Sequence, residues 1–169
     1  MTSFKLRSVK LRPGEEYRDA KEVELEPIEL GGQRYLPVPG RVEAELALTR
    51  ASTGTVFELR FPGRVHGPCF RCLTDAVVDV PIAAREYQAT NPGAEEELRT
   101  PYVVDDVLRL SDWARDALLL ALPDKILCRP DCAGLCPVCG RDLNREPHEH
   151  EEAVGDPRWA ALAELRERL

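Results

Sequence analysis

The chain has 169 residues, 43% of them hydrophobic and 31% charged, so it can bury one modest core as a single domain, with or without a small appendage. The longest apolar run, residues 117–122, is far too short to span a membrane, and residues 1–12 alternate Lys and Arg with apolar positions instead of forming a secretory leader. The formal charge of -7 is uneven, with 11 basic and 10 acidic residues in 1–70 against 12 and 20 in 71–169, a balance that opposes binding of naked nucleic acid by bulk electrostatics.

In chain order, residues 3–11 and 22–30 alternate as weak strands. Val42, Ala44, Leu46 and Leu48 alternate with Glu43, Glu45 and Thr49, which predicts a half-buried strand over 41–50. Ala51-Ser52-Thr53-Gly54 supplies turn chemistry. Phe57, Leu59 and Phe61 then share a face opposite Glu58 and Arg60, so the two segments read as an antiparallel hairpin. Pro62-Gly63 is expected to end or bend it. Ala76, Val78, Val80 and Ile82 make a further strand, which Pro81 pushes toward a sheet edge.

Residues 89–100, with Asn91-Pro92-Gly93 and the acidic run 95–97, read as a mobile, solvated loop. A helix is predicted with Ser111 as N-cap and Asp112 in its first turn. Its apolar face would be Trp113, Ala117, Leu120 and Ala121, and Pro123 stops it. A second helix is predicted from Asp156 and Pro157, with Trp159, Leu162, Leu165 and Leu169 as its stripe. Both Trp read as core anchors. The expectation is an α+β fold: an antiparallel, barrel-like β region over 1–88, the acidic loop over 89–100, and a zinc-stabilised segment with two short helices over 101–169. The last part is expected to form one compact unit with the first.

The six cysteines are the strongest chemical signal. Without an export signal they are expected in the reducing cytoplasm, where metal binding is favoured over disulfides. Cys69-Phe70-Arg71-Cys72 forms one C-x2-C pair. Cys128, Cys132, Cys136 and Cys139 follow, the last two as a second pair succeeded by Gly140, and then His148-Glu149-His150. A C-x2-C turn lets two thiolates converge on one ion, and Gly after the second cysteine suits the tight turn. The preferred partition places Cys69, Cys72, Cys128 and Cys132 on one zinc, and Cys136, Cys139, His148 and His150 on a second. In extended chain, residues two apart face the same side, so both histidines can reach one ion. Two partitions remain open: one zinc held by the two C-x2-C pairs, and a local site of Cys128, Cys132, Cys136 and Cys139. His66 lies three residues before Cys69 and is a spare candidate ligand.

These residues also resemble a known family. Cys69-x-Arg71-Cys72-Leu73, residues 118–123, the run from Cys128 through Asp131, Cys132, Gly134, Leu135, Cys136, Pro137, Cys139, Gly140, Asp142 and Leu143 to Asn144, and Asp156-Pro157-Arg158-Trp159 with Leu162 are similar to the YceD family of large ribosomal RNA subunit accumulation proteins. The similarity covers roughly residues 40 to 169. It implies a non-catalytic role in building the 50S subunit, so that 23S rRNA accumulates, with the pre-50S particle, rRNA or a ribosomal protein as partner. It also implies that the second metal site is dispensable, since shorter relatives lack the Cys136–Cys139 half. Longer relatives carry Cys-x-Cys where this chain has His148-Glu149-His150, and histidine can replace cysteine on zinc.

No small-molecule substrate and no membrane are expected. The zinc-deaminase order, H-x-E before P-C-x-x-C, fails here because His150 follows the cysteines and Pro137 lies inside the pair. A redox C-x-x-C would open a helix, whereas a strand follows Cys72. A zinc-ribbon interaction module of another complex is the remaining alternative to the ribosomal reading. Candidate contacts to RNA or a partner are Arg41, Arg60, Arg64 and Arg71, the last with Asp75 as an alternative ion-pair partner. No aromatic stacking platform for single-stranded RNA is evident.

Overall fold

Period-2 alternation governs most of what forms. The structure, a computed structural model, describes residues 1–90 and 98–150. The strands are β1 (Ser3–Lys5), β2 (Glu16–Glu24), β3 (Ile28–Leu30), β4 (Gln33–Pro37), β5 (Arg41–Arg50), β6 (Gly54–Pro68), β7 (Asp75–Ala89), β8 (Val103–Val104) and β9 (Val107–Arg109), and they lead into α1 (Leu110–Ala121). The chain divides into two units, Met1–Cys132 and Ala133–Leu169. All of these elements belong to the first.

Every pairing is antiparallel. β6 organises the main sheet. One of its edges pairs with β7 from Gly54↔Ala89 to Pro68↔Asp75. The other pairs first with β5, between Arg50↔Thr55 and Glu45↔Arg60, and then with β4 at Leu36↔His66 and Pro37↔Val65. β2 flanks β5 and β3 flanks β4. The expected hairpin is present, its turn closed by the Ala51 N–H on the Gly54 carbonyl at 2.9 Å. Val42, Ala44, Leu46, Leu48, Phe57, Leu59 and Phe61 are all buried.

Several expectations need correction. Pro62-Gly63 neither ends nor interrupts β6. Pro62 lies opposite Pro81, in the stretch that neither β5 nor β4 reaches, so its missing N–H costs no ladder bond on that side. Pro81 does mark an edge, since β7 pairs only with β6 among the described residues. For the same reason the sheet is open rather than barrel-like: β2 and β7 each have one partner. Residues 3–11 hold only three residues of strand before a 3-10 turn at Leu6–Ser8, and β1 joins a separate small sheet ordered β1-β9-β8. The alternation over 22–30 is split between the end of β2 and β3.

The helix starts two residues earlier than predicted, and Ser111 is not its cap. Arg109 ends β9 and passes directly into α1 with no side-chain cap. Ser111 is buried and used elsewhere: its Oγ accepts the Thr2 N–H at 2.8 Å, and its own N–H donates to the Thr2 carbonyl at 3.2 Å. The buried face is Leu110, Ser111, Trp113, Ala114, Ala117 and Leu118, whereas Leu120 is 88% exposed. One α-helix therefore forms among the described residues. The second predicted helix, over 156–169, lies outside them, as do residues 91–97 of the acidic loop.

The end of β6 is shaped by a close approach. A Cβ on Gly67 would lie 2.3 Å from the Tyr35 ring and 3.0 Å from the Arg34 carbonyl. Tyr35 is buried, and its hydroxyl donates to the Pro68 carbonyl at 2.9 Å, one residue before Cys69. Gly67→Ala should therefore overpack this corner and cost about 1–3 kcal/mol in urea denaturation.

Candidate metal centres

The first Cys pair sits in the tight connection between β6 and β7. The Leu73 N–H donates to the Cys69 carbonyl at 3.0 Å, and the Cys69 N–H donates to the Thr74 carbonyl at 2.7 Å. Pro68 and Asp75 face each other as the last pair of the ladder. The segment after α1 is brought alongside by the Phe70 N–H on the carbonyl of buried Ile126, at 2.8 Å. Cys128 and Cys132 thereby arrive beside Cys69 and Cys72, and the four sulfurs lie within 4.8 Å of one another. Cys69, Cys72 and Cys132 are buried; Cys128 is exposed as a residue, with its sulfur turned into the group.

The second unit repeats this arrangement. The Gly140 N–H donates to the Cys136 carbonyl, and the Cys136 N–H to the Arg141 carbonyl, both at 2.8 Å. Leu135 and Asp142 form the flanking bridge. Each bond has its counterpart at the same sequence offset in the first pair, so the two turns are the same knuckle built twice. The ligand atoms of Cys136, Cys139, His148 and His150 also lie within 4.8 Å of one another. His148 Nδ1 is 2.7 Å from the Glu146 carbonyl, which makes it the protonated nitrogen and leaves Nε2, 3.1 Å from Cys139 Sγ, as the lone-pair donor. Asp142 and Asn144 fold the intervening loop: the Leu143 N–H bonds the Gly134 carbonyl at 2.9 Å, and Asn144 Oδ1 accepts the Ala133 N–H at 2.8 Å.

Both donor sets could hold a metal ion, and the sulfur spacing of the first suits a tetrahedral one. With metal–sulfur bonds near 2.3 Å, tetrahedral geometry puts neighbouring sulfurs about 3.8 Å apart. Cys69 and Cys132 are 3.8 Å apart, and Cys72 and Cys128 are 3.5 Å apart. The electrostatics favour the thiolate at Cys69, Cys72 and Cys136. Burial pushes the Cys69 thiol up, but N–H groups of Cys72, Cys128 and Arg71 outweigh it and bring it down to about 6. Thr74 lowers Cys72, its hydroxyl lying 3.0 Å from the sulfur. The Cys139 N–H is the main cause that brings Cys136 to about 6, helped by Val138 and His148. Cys128 is pushed up to about 12 by lost hydration and by the sulfurs of Cys72 and Cys132, so without an ion the cluster retains protons that a metal would displace.

The knuckles differ at one backbone position. Gly140 follows the second cysteine at φ 74, where glycine is at ease; Leu73 holds the equivalent place at φ 62 and is 57% exposed. Leu73→Gly should relieve about 1 kcal/mol of strain and raise the melting temperature of the metal-loaded protein.

The other candidates have ordinary partners. His66 stands outside the first group, 3.6 Å from Asp75. Arg41 faces Glu22 at 3.5 Å, Arg60 faces Glu58 at 3.2 Å, and Arg64 makes a two-point pair with Asp79 at 2.5 and 3.1 Å. Arg71 does not pair with Asp75; its guanidinium donates to the Cys132 carbonyl at 2.7 Å. Sequence reasoning missed the supporting groups Thr74, Ile126 and Glu146. Only the repeated spacing around Leu73 and Gly140 could have pointed to the matched knuckles.

Comparison with known proteins adds a lineage. The family model for the large ribosomal RNA subunit accumulation protein YceD matches residues 57–166. An uncharacterized protein of Mycobacterium tuberculosis is 37% identical over 130 residues, 73% of this chain and 61% of its own length, and one of Mycobacterium bovis gives the same figures. An uncharacterized protein of Mycobacterium leprae is 32% identical over 152 residues, 79% of this chain and 69% of its own. The chain thus spans 61% of the length of the first two. No solved structure matches it.

Proposed function

We propose, from the premise that this chain belongs to the YceD family of large ribosomal RNA subunit accumulation proteins, that it is a non-catalytic zinc-binding factor acting in assembly of the 50S subunit. Its role would be to hold or shield an rRNA segment or a ribosomal protein on the pre-50S particle in the cytoplasm, so that 23S rRNA accumulates.

The observation that carries the metal half of this reading is the convergence of two complete sets of four donors. A four-thiolate site offers no open coordination position, so the ion there is structural and its binding free energy supports the fold. Zinc suits both sets, since it accepts tetrahedral sulfur and mixed sulfur and imidazole ligation. Cys69, Cys72, Cys128 and Cys132 would hold the first ion; Cys136, Cys139, His148 and His150 the second. The ribosomal half rests on the family. Among the described residues Arg41, Arg60 and Arg64 are all matched by carboxylates, which agrees with contact through a protein or a confined stretch of RNA.

Sedimentation of host-cell lysate tests the ribosomal half. The tagged chain should co-migrate with particles lighter than the mature 50S subunit, and its depletion should lower 23S rRNA relative to 16S. A chain that stays at the top of the gradient, with the rRNA ratio unchanged on depletion, would overturn the assembly reading and favour an interaction module of another complex.

A further inference from the structure

Arg71 touches both halves of the first cysteine group. Its backbone N–H points at Cys69 Sγ, 3.4 Å away, and its guanidinium donates to the Cys132 carbonyl at 2.7 Å. Cys132 lies 61 residues further along the chain. The knuckle alone does not require this contact: the same position of the second knuckle is Val138, which is 71% exposed and has no side-chain donor. The arginine is therefore specific to the group whose ligands come from two distant segments.

Two physical consequences follow. A dication on four thiolates carries a net charge of -2, and the guanidinium, which reaches the main chain of buried Cys132, offsets part of it. The bond also fixes the orientation of the segment that delivers Cys132, whose placement Cys69 and Cys72 cannot themselves control. Lysine keeps the charge and a donor but carries them on a flexible stem as a point charge, so it would hold the Cys132 carbonyl less firmly.

We propose that Arg71 is a positioning residue of the first metal centre, bracing Cys132 against the Cys69–Cys72 knuckle and balancing the thiolate charge, rather than a contact for RNA. This rests on reading that group as a metal site.

Competition with a chromogenic chelator on the full chain, loaded with zinc alone, separates release from the two centres. Arg71→Gln should speed or ease release of one zinc by about 10- to 100-fold while leaving the other unchanged. Arg71→Lys should fall between wild type and Arg71→Gln. Cobalt substitution gives a second readout, since the sulfur-to-cobalt charge-transfer bands of the four-thiolate site should shift in Arg71→Gln. Amide exchange of Leu46 and Leu59 in the zinc-loaded proteins should be the same, which separates a role at the site from a general loss of stability. If wild type holds two zinc ions and Arg71→Gln releases both as wild type does, the inference is overturned and the metal reading stands. If that variant keeps its zinc but no longer co-sediments with pre-50S particles, Arg71 is an RNA or partner contact instead. If wild type itself binds no zinc, both fail.

Discussion

Replacing Cys69 with alanine should remove one of two metal equivalents and lower stability by roughly 4 kcal/mol when free zinc stands about a thousandfold above the dissociation constant. The size follows from linkage. An ion that binds only the folded chain stabilises it by RT times the logarithm of one plus the ratio of free ion to dissociation constant, and three remaining ligands would hold it too weakly to keep that contribution. Cys69 is 0% exposed and lies where β6 turns into β7, so the loss falls at the point where residues 126–132 join the sheet. Metal content and thermal melting of the variant, measured beside wild type in the same zinc buffer, check this. Two equivalents with an unchanged melting temperature would show that Cys69 is no ligand.

The second large effect is local. Among residues 133–150 only Gly134 and Cys136 are buried, so the described part of the second unit has no apolar core of its own. Its turn bonds, such as those from the Gly140 and Leu143 N–H groups, are expected to depend on the proposed ion. Cys139→Ala should therefore speed amide exchange at Cys136, Gly140 and Leu143 by at least about 100-fold, while Leu46 and Leu59 in the sheet keep their protection. Retained protection at all three turn amides would mean that the second knuckle stands without metal.

The contrast between the two variants bears on how the chain is built. The first unit has a sheet core, Leu46, Leu59, Phe57, Val65 and Trp113 among its buried side chains, and its four-cysteine group lies where one more segment meets that core. The second unit begins at Ala133, one residue after the last ligand of the first group. Cys139→Ala is therefore expected to leave the sheet intact, the outcome that the family resemblance implies for a dispensable second site.

Alternation made β5, most of β6 and β7 legible, because one face of each is buried and the period-2 pattern is strong where Val42, Leu46, Phe57 and Leu59 fall. The same logic failed where tertiary contacts overrode local signals. Pro62 passes through β6 because the neighbouring strands leave a gap there, and a gap between β5 and β4 has no signature in the sequence of β6. Ser111 has the chemistry of an N-cap, yet it bonds Thr2, a partner 109 positions away. The short strands β1, β8 and β9 have too few residues to show a period. The C-x2-C spacing and the i, i+2 histidines support the preferred grouping of the eight candidate ligands but leave two other partitions open; the structure brings the eight together in the preferred two groups. The braces around them have no such signature, since Arg71 with Cys132 and Phe70 with Ile126 are contacts between segments far apart in sequence.

Quantifying metal in the native, untagged protein, purified without chelators and under anaerobic conditions, bears on the whole account. Two zinc ions per chain are expected, one for each group of four donors. A folded, monodisperse protein containing none would contradict it.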